Sequence, residues 1–272
     1  HLREAKILNV TKREPPQEYV EAVRERFGTE IKRIDSEPVI EAYKAVSDSE
    51  ARTEAEYWTS GAERIVEPSR DEILRSSRLA LAFQKVLDAE QATVITVDCY
   101  GSMYHQLPAF PCIGWARLNN MGFGGICESD LRSALTHVLF QGLSGRPGFI
   151  SDPTFDEGQN VVILAHCLGT PCMDGPEGGA APYLIRSIME RQEGAVIQSR
   201  MRIGQKVTQA ILADSDTLLF FTGDIVDAPD SPRGCRTKIS VRPDGDITKL
   251  WRNWSSGLHR QTCYGDITGD LR

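Results

Sequence analysis

The order of strand and helix signals along the 272 residues predicts an α/β protein: a Rossmann-like, doubly wound layer followed by a mainly β, barrel-like domain. In the first half, short apolar runs typical of buried strands alternate with longer segments whose apolar residues recur at helical spacing. In the second half, short strand-like runs follow one another with turn residues between them. This change from alternating strands and helices to successive strands predicts a domain boundary near residue 147, so the predicted domains are 1–147 and 148–272.

The elements of the first half alternate from its beginning. Strands are predicted at residues 6–10, 31–35, 64–67 and 92–100, the last of them a largely apolar run. Helices are predicted at 16–27, in a polar stretch that runs through Glu56, and at 71–87. The segment 101–127 holds many Gly, Pro and aromatic residues and is predicted to be mainly loop, and a helix follows at 129–142. This alternation is the basis of the doubly wound prediction.

The second half is predicted to be mainly strand. Its strand-like runs are residues 148–152, 160–167, 194–202, 217–223, 236–242 and 258–264. The first two flank a polar Asp156-Glu157-Gly158 turn and therefore predict a hairpin.

Charge and composition exclude several classes of function. A net charge of −7 and a pI near 5.4 argue against a nucleic-acid or anionic-membrane surface. No apolar run approaches the roughly eighteen residues that a membrane span needs, and the first residues do not form a signal peptide. The seven cysteines include no CxxC pair, which predicts reduced thiols of a cytoplasmic protein. Cys167 and Cys172 resemble half of a zinc site, but no second pair completes it.

Common catalytic motifs are missing from the sequence. No GxGxxG follows the first strand, so the α/β layer is not predicted to bind a dinucleotide. The glycines at 122, 124 and 125 are not followed by Lys-Ser/Thr, which favours close backbone approach near a site over a phosphate loop. No GxSxG elbow indicates a serine hydrolase.

Two acidic residues form the most specific signal. Glu128 stands where a glycine-rich segment enters a helix, at the predicted open end of the sheet, where ligand sites of α/β proteins usually lie. Asp152 follows at the end of a strand, at the start of the second half. Two carboxylates at such a seam suit a hard divalent cation, although each alone is more often a surface or capping acid.

The segments around these acids resemble the L-fucose isomerase family and the related L-arabinose isomerases. The resemblance runs through Cys127-Glu128-Ser129-Asp130, Leu143-Ser144-Gly145, Asp152, Gly169, Asp174-Gly175 and Gly234-Cys235-Arg236-Thr237. It implies that Glu128 and Asp152 bind the metal together with His259, in Gly257-Leu258-His259-Arg260-Gln261. His166 is the rival histidine, because L-arabinose isomerases ligate a histidine soon after the second acid.

The resemblance also indicates residues that contact the sugar. Gln106 lies in the loop before Glu128, where fucose isomerases place a sugar-binding glutamine. Trp251 and Trp254 would offer an apolar face to a sugar ring, or belong to the core. Arg236 would orient a hydroxyl or carboxylate, or serve as a buried structural arginine.

The implied function is a metal-dependent aldose–ketose isomerase that moves a proton between C1 and C2 through an ene-diolate. Glu128 and Asp152 would exchange roles as general base and acid, and Mn²⁺ (or Mg²⁺) would chelate the sugar. The resemblance further implies a homo-oligomer whose site is completed by a neighbouring subunit's N-terminal domain, a domain that this chain does not supply. We therefore expect these residues to belong to a longer protein, and alone to bind metal but isomerise sugar poorly. The alternatives are a carbohydrate-binding module without chemistry and another metal-dependent sugar enzyme on the same scaffold.

Overall fold

The computed structural model describes residues 1–232, 234–254 and 257–271. The helices are α1 Gln17–Phe27, α2 Glu37–Ala45, α3 Asp48–Gly61, α4 Arg70–Glu90, α5 Cys112–Asn120, α6 Leu131–Ser144, α7 Ile247–Arg252 and α8 Thr268–Leu271. The strands are β1 Lys6–Val10, β2 Glu30–Ile34, β3 Arg64–Ile65, β4 Val94–Val97, β5 Gly124–Cys127, β6 Phe149–Asp156, β7 Val161–His166, β8 Tyr183–Arg186, β9 Val196–Ser199, β10 Lys206–Asp214, β11 Thr217–Asp227, β12 Thr237–Pro243 and β13 Arg260–Tyr264.

A parallel sheet organises the first half, in the order β2-β1-β4-β5. Its strand β4 is buried along its whole length, which explains the continuous apolar run in the sequence. Because the strands are parallel, the carboxyl ends of β1, β4 and β5 meet at one edge of the sheet. The α/β prediction for this half is confirmed at the level of a parallel sheet with intervening helices.

Three local predictions in the first half were right only in part. The polar stretch before Glu56 forms two helices, because Ser47 and Glu50 make a capping box that begins α3. The strand at 64–67 shrinks to β3, which is exposed and pairs with β8 outside the parallel sheet. The segment 101–127 contains α5 and β5 in addition to loop. Helix α5 is buried on nearly all sides, so its apolar residues do not mark one face, and this removes the helical period from the sequence.

Six strands of the second half close into an antiparallel barrel, in the order β10-β11-β12-β7-β6-β13. The predicted hairpin is confirmed as β6–β7, in which Asp156 pairs with Val161. The barrel interior is filled by apolar side chains that include Phe149, Val162 and Leu164. Strand β10 was not predicted. The barrel-like prediction is confirmed.

A smaller sheet, β3-β8-β9, combines strands from both halves of the chain. The predicted strand at 194–202 is β9 of this sheet and lies outside the barrel. The main hydrophobic core also crosses the predicted boundary, since Ile150, Leu168 and Leu212 belong to the same cluster as Ile7 and Val97. The boundary near residue 147 stays a prediction.

Within the described ranges, no helix combines the length and apolar character that a membrane crossing requires.

Candidate metal and acid–base site

Glu128 lies at a sharp turn directly after β5. Its φ is 64° and that of Ser129 is 54°, so two consecutive non-glycine residues adopt the left-handed conformation. The Ser129 amide donates to the Val97 carbonyl at 3.1 Å, which fastens the turn to the end of β4. The turn therefore holds the Glu128 side chain at the carboxyl edge of the parallel sheet, half-buried.

The glycines before this turn allow β5 to lie close to its neighbours. A Cβ on Gly125 would come within 2.6 Å of the Trp115 Cα of α5, and one on Gly124 within 2.8 Å of a Val94 methyl. Close backbone approach thus accounts for both glycines.

The barrel contributes three residues that face this turn. Asp152 lies on β6 and pairs with Ala165 of β7, so that His166 follows one residue later at the end of β7. His259 precedes β13, whose first residue Arg260 pairs with Ser151. The register therefore brings the two histidines and Asp152 to one end of three adjacent barrel strands.

The side chains converge on Glu128. His166 Nε2 is 3.7 Å from Glu128 Oε1, and His259 Nε2 is 3.8 Å from Glu128 Oε2. His259 Nε2 is also 3.4 Å from Asp152 Oδ1. The structure thus brings together the predicted acids, the predicted histidine and its rival.

Asp130 fixes the orientation of His259. The Nδ1 of His259 donates to Asp130 Oδ2 at 3.0 Å, because a carboxylate can only accept, and this leaves Nε2 directed at Glu128 and Asp152. The other oxygen, Oδ1, accepts from the Ser133 amide and caps α6. A carboxylate that orients a histidine in this way is the usual support of a metal-binding imidazole. The contact between Asp130 and His259 was not predicted from the sequence, although the position of Asp130 two residues after Glu128 was a usable signal.

The charges of the site shift several pKa values. Burial works against ionisation of Glu128 and Asp130, but contacts with His166 and His259, respectively, dominate and lower the pKa of each carboxyl. Burial raises the pKa of Asp152 despite the two nearby histidines. Burial lowers the pKa of His259, yet the hydrogen bond to Asp130 and the charges of Asp152 and Glu128 outweigh it and raise the value to about 9.

The residues present fit a divalent cation. Ligand atoms of Glu128, His166 and His259 all lie within 4.8 Å of one another. Asp152 Oδ1 and His166 Nδ1 are buried without a hydrogen-bond partner among the described residues, which is costly for polar atoms unless a further group satisfies them. Carboxylate oxygens with imidazole nitrogens suit Mn²⁺ or another first-row cation.

The predicted sugar-binding residues lie apart from these contacts. Gln106 accepts a hydrogen bond from Lys12 Nζ in the loop after β4. Arg236 is 5% exposed, and its guanidinium donates to the Ser187 carbonyl and hydroxyl. Trp254 packs edge-on against Phe155, beneath Arg260.

Trp251 is 40% exposed on α7. Arg236 and Trp254 make the contacts expected of a buried structural arginine and a core tryptophan. A substrate role for Gln106, Arg236, Trp251 and Trp254 stays a prediction.

No protein-family model matches the chain. The chain is 25% identical over 265 residues to a protein from Clostridium sp. (strain MSTE9) named sulfoquinovose isomerase, with 90% of this chain and 56% of the relative covered. It is 21% identical over 254 residues to a sulfoquinovose isomerase from Alkalicoccus urumqiensis, with the same coverage. The chain therefore spans little more than half the length of these curated relatives. The names support a similarity to sugar isomerases, which are intramolecular oxidoreductases, without specifying the L-fucose or L-arabinose type.

Proposed function

We propose that this chain carries the metal-binding and proton-transfer groups of an aldose–ketose isomerase. The observation that supports this most directly is the contact between His259 and Asp130, which directs His259 Nε2 toward Glu128 and Asp152. A histidine with only a structural role would not need the three carboxylates of Glu128, Asp130 and Asp152 around it. The similarity to two sulfoquinovose isomerases supports the same class of reaction.

The substrate that we propose to test first is sulfoquinovose, because it is named for both relatives. The type of isomerase that we propose is that of the L-fucose and L-arabinose isomerases. Glu128, Asp152 and His259 would then correspond to the metal-binding residues of those enzymes. His166 would act as an additional or alternative ligand, since its Nε2 lies near Glu128 Oε1 and its ring is next to that of His259.

The reaction needs a proton to leave C2 and a proton to reach C1, while the carbonyl moves in the opposite sense. Mn²⁺ held by Glu128, Asp152 and the histidines would supply Lewis acidity toward the two sugar oxygens. Glu128 and Asp152 approach the site from different halves of the chain and would exchange roles as base and acid, each contributing about 10²–10⁴-fold to the rate. Asp130 would keep His259 in the tautomer that leaves Nε2 available.

We propose that the region of the relatives without a counterpart here corresponds to a domain that completes the site, presented by a neighbouring subunit of a homo-oligomer. On this proposal the 272 residues bind the cation, whereas efficient turnover needs the additional domain.

The test is an aldose screen with Mn²⁺, in which ketose is measured with and without chelator. It uses the protein in the form that its source organism makes and includes sulfoquinovose, L-fucose and L-arabinose. We expect chelator-sensitive ketose from at least one aldose. Glu128→Gln and Asp152→Asn should abolish it, whereas Asp156→Asn, on the same strand as Asp152, should retain it.

Two outcomes would contradict the proposal. Sugar binding that survives in Glu128→Gln and Asp152→Asn, without ketose from any aldose, would indicate a binding module. Turnover that is unaffected by these substitutions would place the chemistry elsewhere.

A further inference from the structure

A second group of ligand-type side chains shares no residue with the site formed by Glu128, Asp152, His166 and His259, which we call the carboxylate site, and has no assigned role. It consists of Cys167, Glu190 and Cys235, which we call the thiol cluster. Cys167 directly follows β7, Glu190 lies in the segment between β8 and β9, and Cys235 precedes β12. Their ligand atoms all lie within 4.8 Å of one another.

Glu190 bridges the two thiols. Cys167 Sγ donates to Glu190 Oε2 at 3.7 Å, and Cys235 Sγ donates to Oε1 at 3.3 Å. One carboxylate thus accepts from both thiols, one on each oxygen. The three ligand atoms are close enough to share one cation, which would replace the two thiol protons.

Neighbouring residues hold two of the three ligands from outside the cluster. Arg236, next to Cys235, is buried and bonded to Ser187. Arg191, next to Glu190, lies over the rings of Tyr100 and Tyr104 at 5.5 and 4.9 Å. These contacts connect three distant segments of the chain, so the cluster is set by tertiary structure and could not be found from the spacing of cysteines.

We propose that the thiol cluster binds a thiophilic divalent cation of the zinc type through Cys167, Cys235 and Glu190. Two thiolates and one carboxylate form a ligand set that zinc accepts, and three protein ligands leave a fourth position open. In a tetrahedral site with Zn–S bonds of about 2.3 Å the ligand atoms stand roughly 3.5–4 Å apart. The observed arrangement is therefore within small side-chain movements of a cation site. On binding, the two thiol protons leave to solvent and two sulfur–metal bonds form.

The ligand chemistry separates this cluster from the site around Glu128. Thiolates select soft or borderline cations, whereas the carboxylate and imidazole donors of the first site accept Mn²⁺. Cys167 directly follows His166, the last residue of β7, so the two sites use adjacent residues at the end of this strand. Their different ligand sets would bind different cations.

The experiment is a titration of the reduced 272-residue chain with Cd²⁺ and Co²⁺ in the presence of excess Mn²⁺. We expect one equivalent to produce the near-ultraviolet absorption of thiolate-to-metal charge transfer. Cys235→Ser and Glu190→Gln should weaken the affinity, by at least about 100-fold for Cys235→Ser, since a direct ligand is lost. Cys172→Ser and Glu177→Gln change a cysteine and an exposed glutamate outside the cluster and should leave the titration unchanged.

Folding does not confound this test, because Cys235 and Glu190 are less buried than Cys167 and the melting temperature of each variant is measured alongside. Absence of charge-transfer absorption, or absorption that survives Cys235→Ser, would overturn the proposal. So would a Cys167–Cys235 disulfide in protein purified without reductant, detected by mass spectrometry after digestion under non-reducing conditions.

Discussion

At the scale of single residues, Asp130 both caps α6 and accepts a hydrogen bond from His259, and a substitution can separate these two roles. Asp130→Asn keeps a good N-cap for α6, since asparagine accepts from the Ser133 amide as aspartate does. The substitution removes the charged acceptor of His259 Nδ1. An amide has one oxygen and one nitrogen, so the nitrogen must face either Ser133 or His259. We expect Mn²⁺ affinity to fall by about 10–100-fold with little change in stability. Binding measured by electron paramagnetic resonance checks this.

The matched control is Asp246→Asn, which alters the N-cap of α7 in the same way. It should leave Mn²⁺ binding unchanged. An Asp130→Asn variant with unaltered affinity would show that the contact with Asp130 does not support the site.

A second residue-scale prediction concerns His137, which is fully buried on α6. Its Nδ1 accepts from the Gly148 amide and its Nε2 donates to the Phe123 carbonyl, so the neutral ring satisfies both contacts. Burial lowers the pKa of His137 to about 4. Between pH 6.5 and about 4 the unfolded chain binds this proton and the folded chain does not. The stabilising contribution is therefore complete above pH 6.5 and is lost as the pH falls, at up to about 1.4 kcal/mol per pH unit.

Urea unfolding at several pH values tests this prediction. His137→Asn should be less stable at neutral pH but should show a shallower loss of stability between pH 6.5 and 5. Val138→Ala creates a cavity on the same helix without removing a titrating group, and should keep the original slope. Equal slopes in His137→Asn and the parent would contradict the prediction.

The sequence located Glu128 at the end of a glycine-rich segment before a helix and Asp152 at the end of a strand-like run, and both match a family pattern. The structure brings these two residues to one place, on either side of His259 Nε2. The sequence could not decide between His166 and His259, since their distance from Glu128 depends on the register of β6, β7 and β13. The side-chain hydrogen bond between Asp130 and His259 could not be predicted from the sequence either, because these residues are far apart in the chain.

At the scale of elements, the approach of β5 to α5 sets the position of Glu128. Gly125→Ala would place a methyl group within 2.6 Å of the Trp115 backbone, which cannot move without shifting α5. We expect a loss of about 1–3 kcal/mol in the free energy of unfolding, and weaker Mn²⁺ binding because Glu128 is displaced with its strand. Chemical denaturation and metal titration of the same variant measure both effects.

Gly179→Ala is the matched control, since nothing lies within 4 Å of its added methyl group. Its stability should change by no more than about 0.5 kcal/mol. If Gly125→Ala behaved like this control, the close packing of β5 on α5 would not be a constraint on the site.

Elements were predictable where one face of a segment is buried and the other is exposed, or where a strand is apolar throughout. Helix α4 and strands β1 and β4 satisfy this condition and were identified from their patterns. Helix α5 is buried on nearly all sides, and β3 is exposed and only two residues long, so neither carried the expected period. Which strands share a sheet depends on contacts between distant segments, and the pairing of β3 with β8 shows why order along the chain did not reveal it.

At the scale of the whole molecule, the carboxylate site joins the parallel sheet to the barrel. Glu128 comes from the sheet, whereas Asp152, His166 and His259 come from the barrel. A cation bound by both parts binds only the folded chain, so its binding free energy adds to stability. At a Mn²⁺ concentration of about 100 times Kd, the gain is about 2.7 kcal/mol, or an increase of roughly 5 °C in the melting temperature of a chain of this size.

Thermal unfolding with and without Mn²⁺ measures this gain, and chelator should reverse it. Glu128→Gln and Asp152→Asn should lose the increase, because each removes one side of the junction, whereas Asp156→Asn should keep it. Cys235→Ser should also keep it, since the thiol cluster prefers a different cation. An increase that persisted in both carboxylate variants but disappeared in Cys235→Ser would mean that Mn²⁺ stabilises the chain through the thiol cluster, and the sheet and barrel would then not be joined by a cation at Glu128.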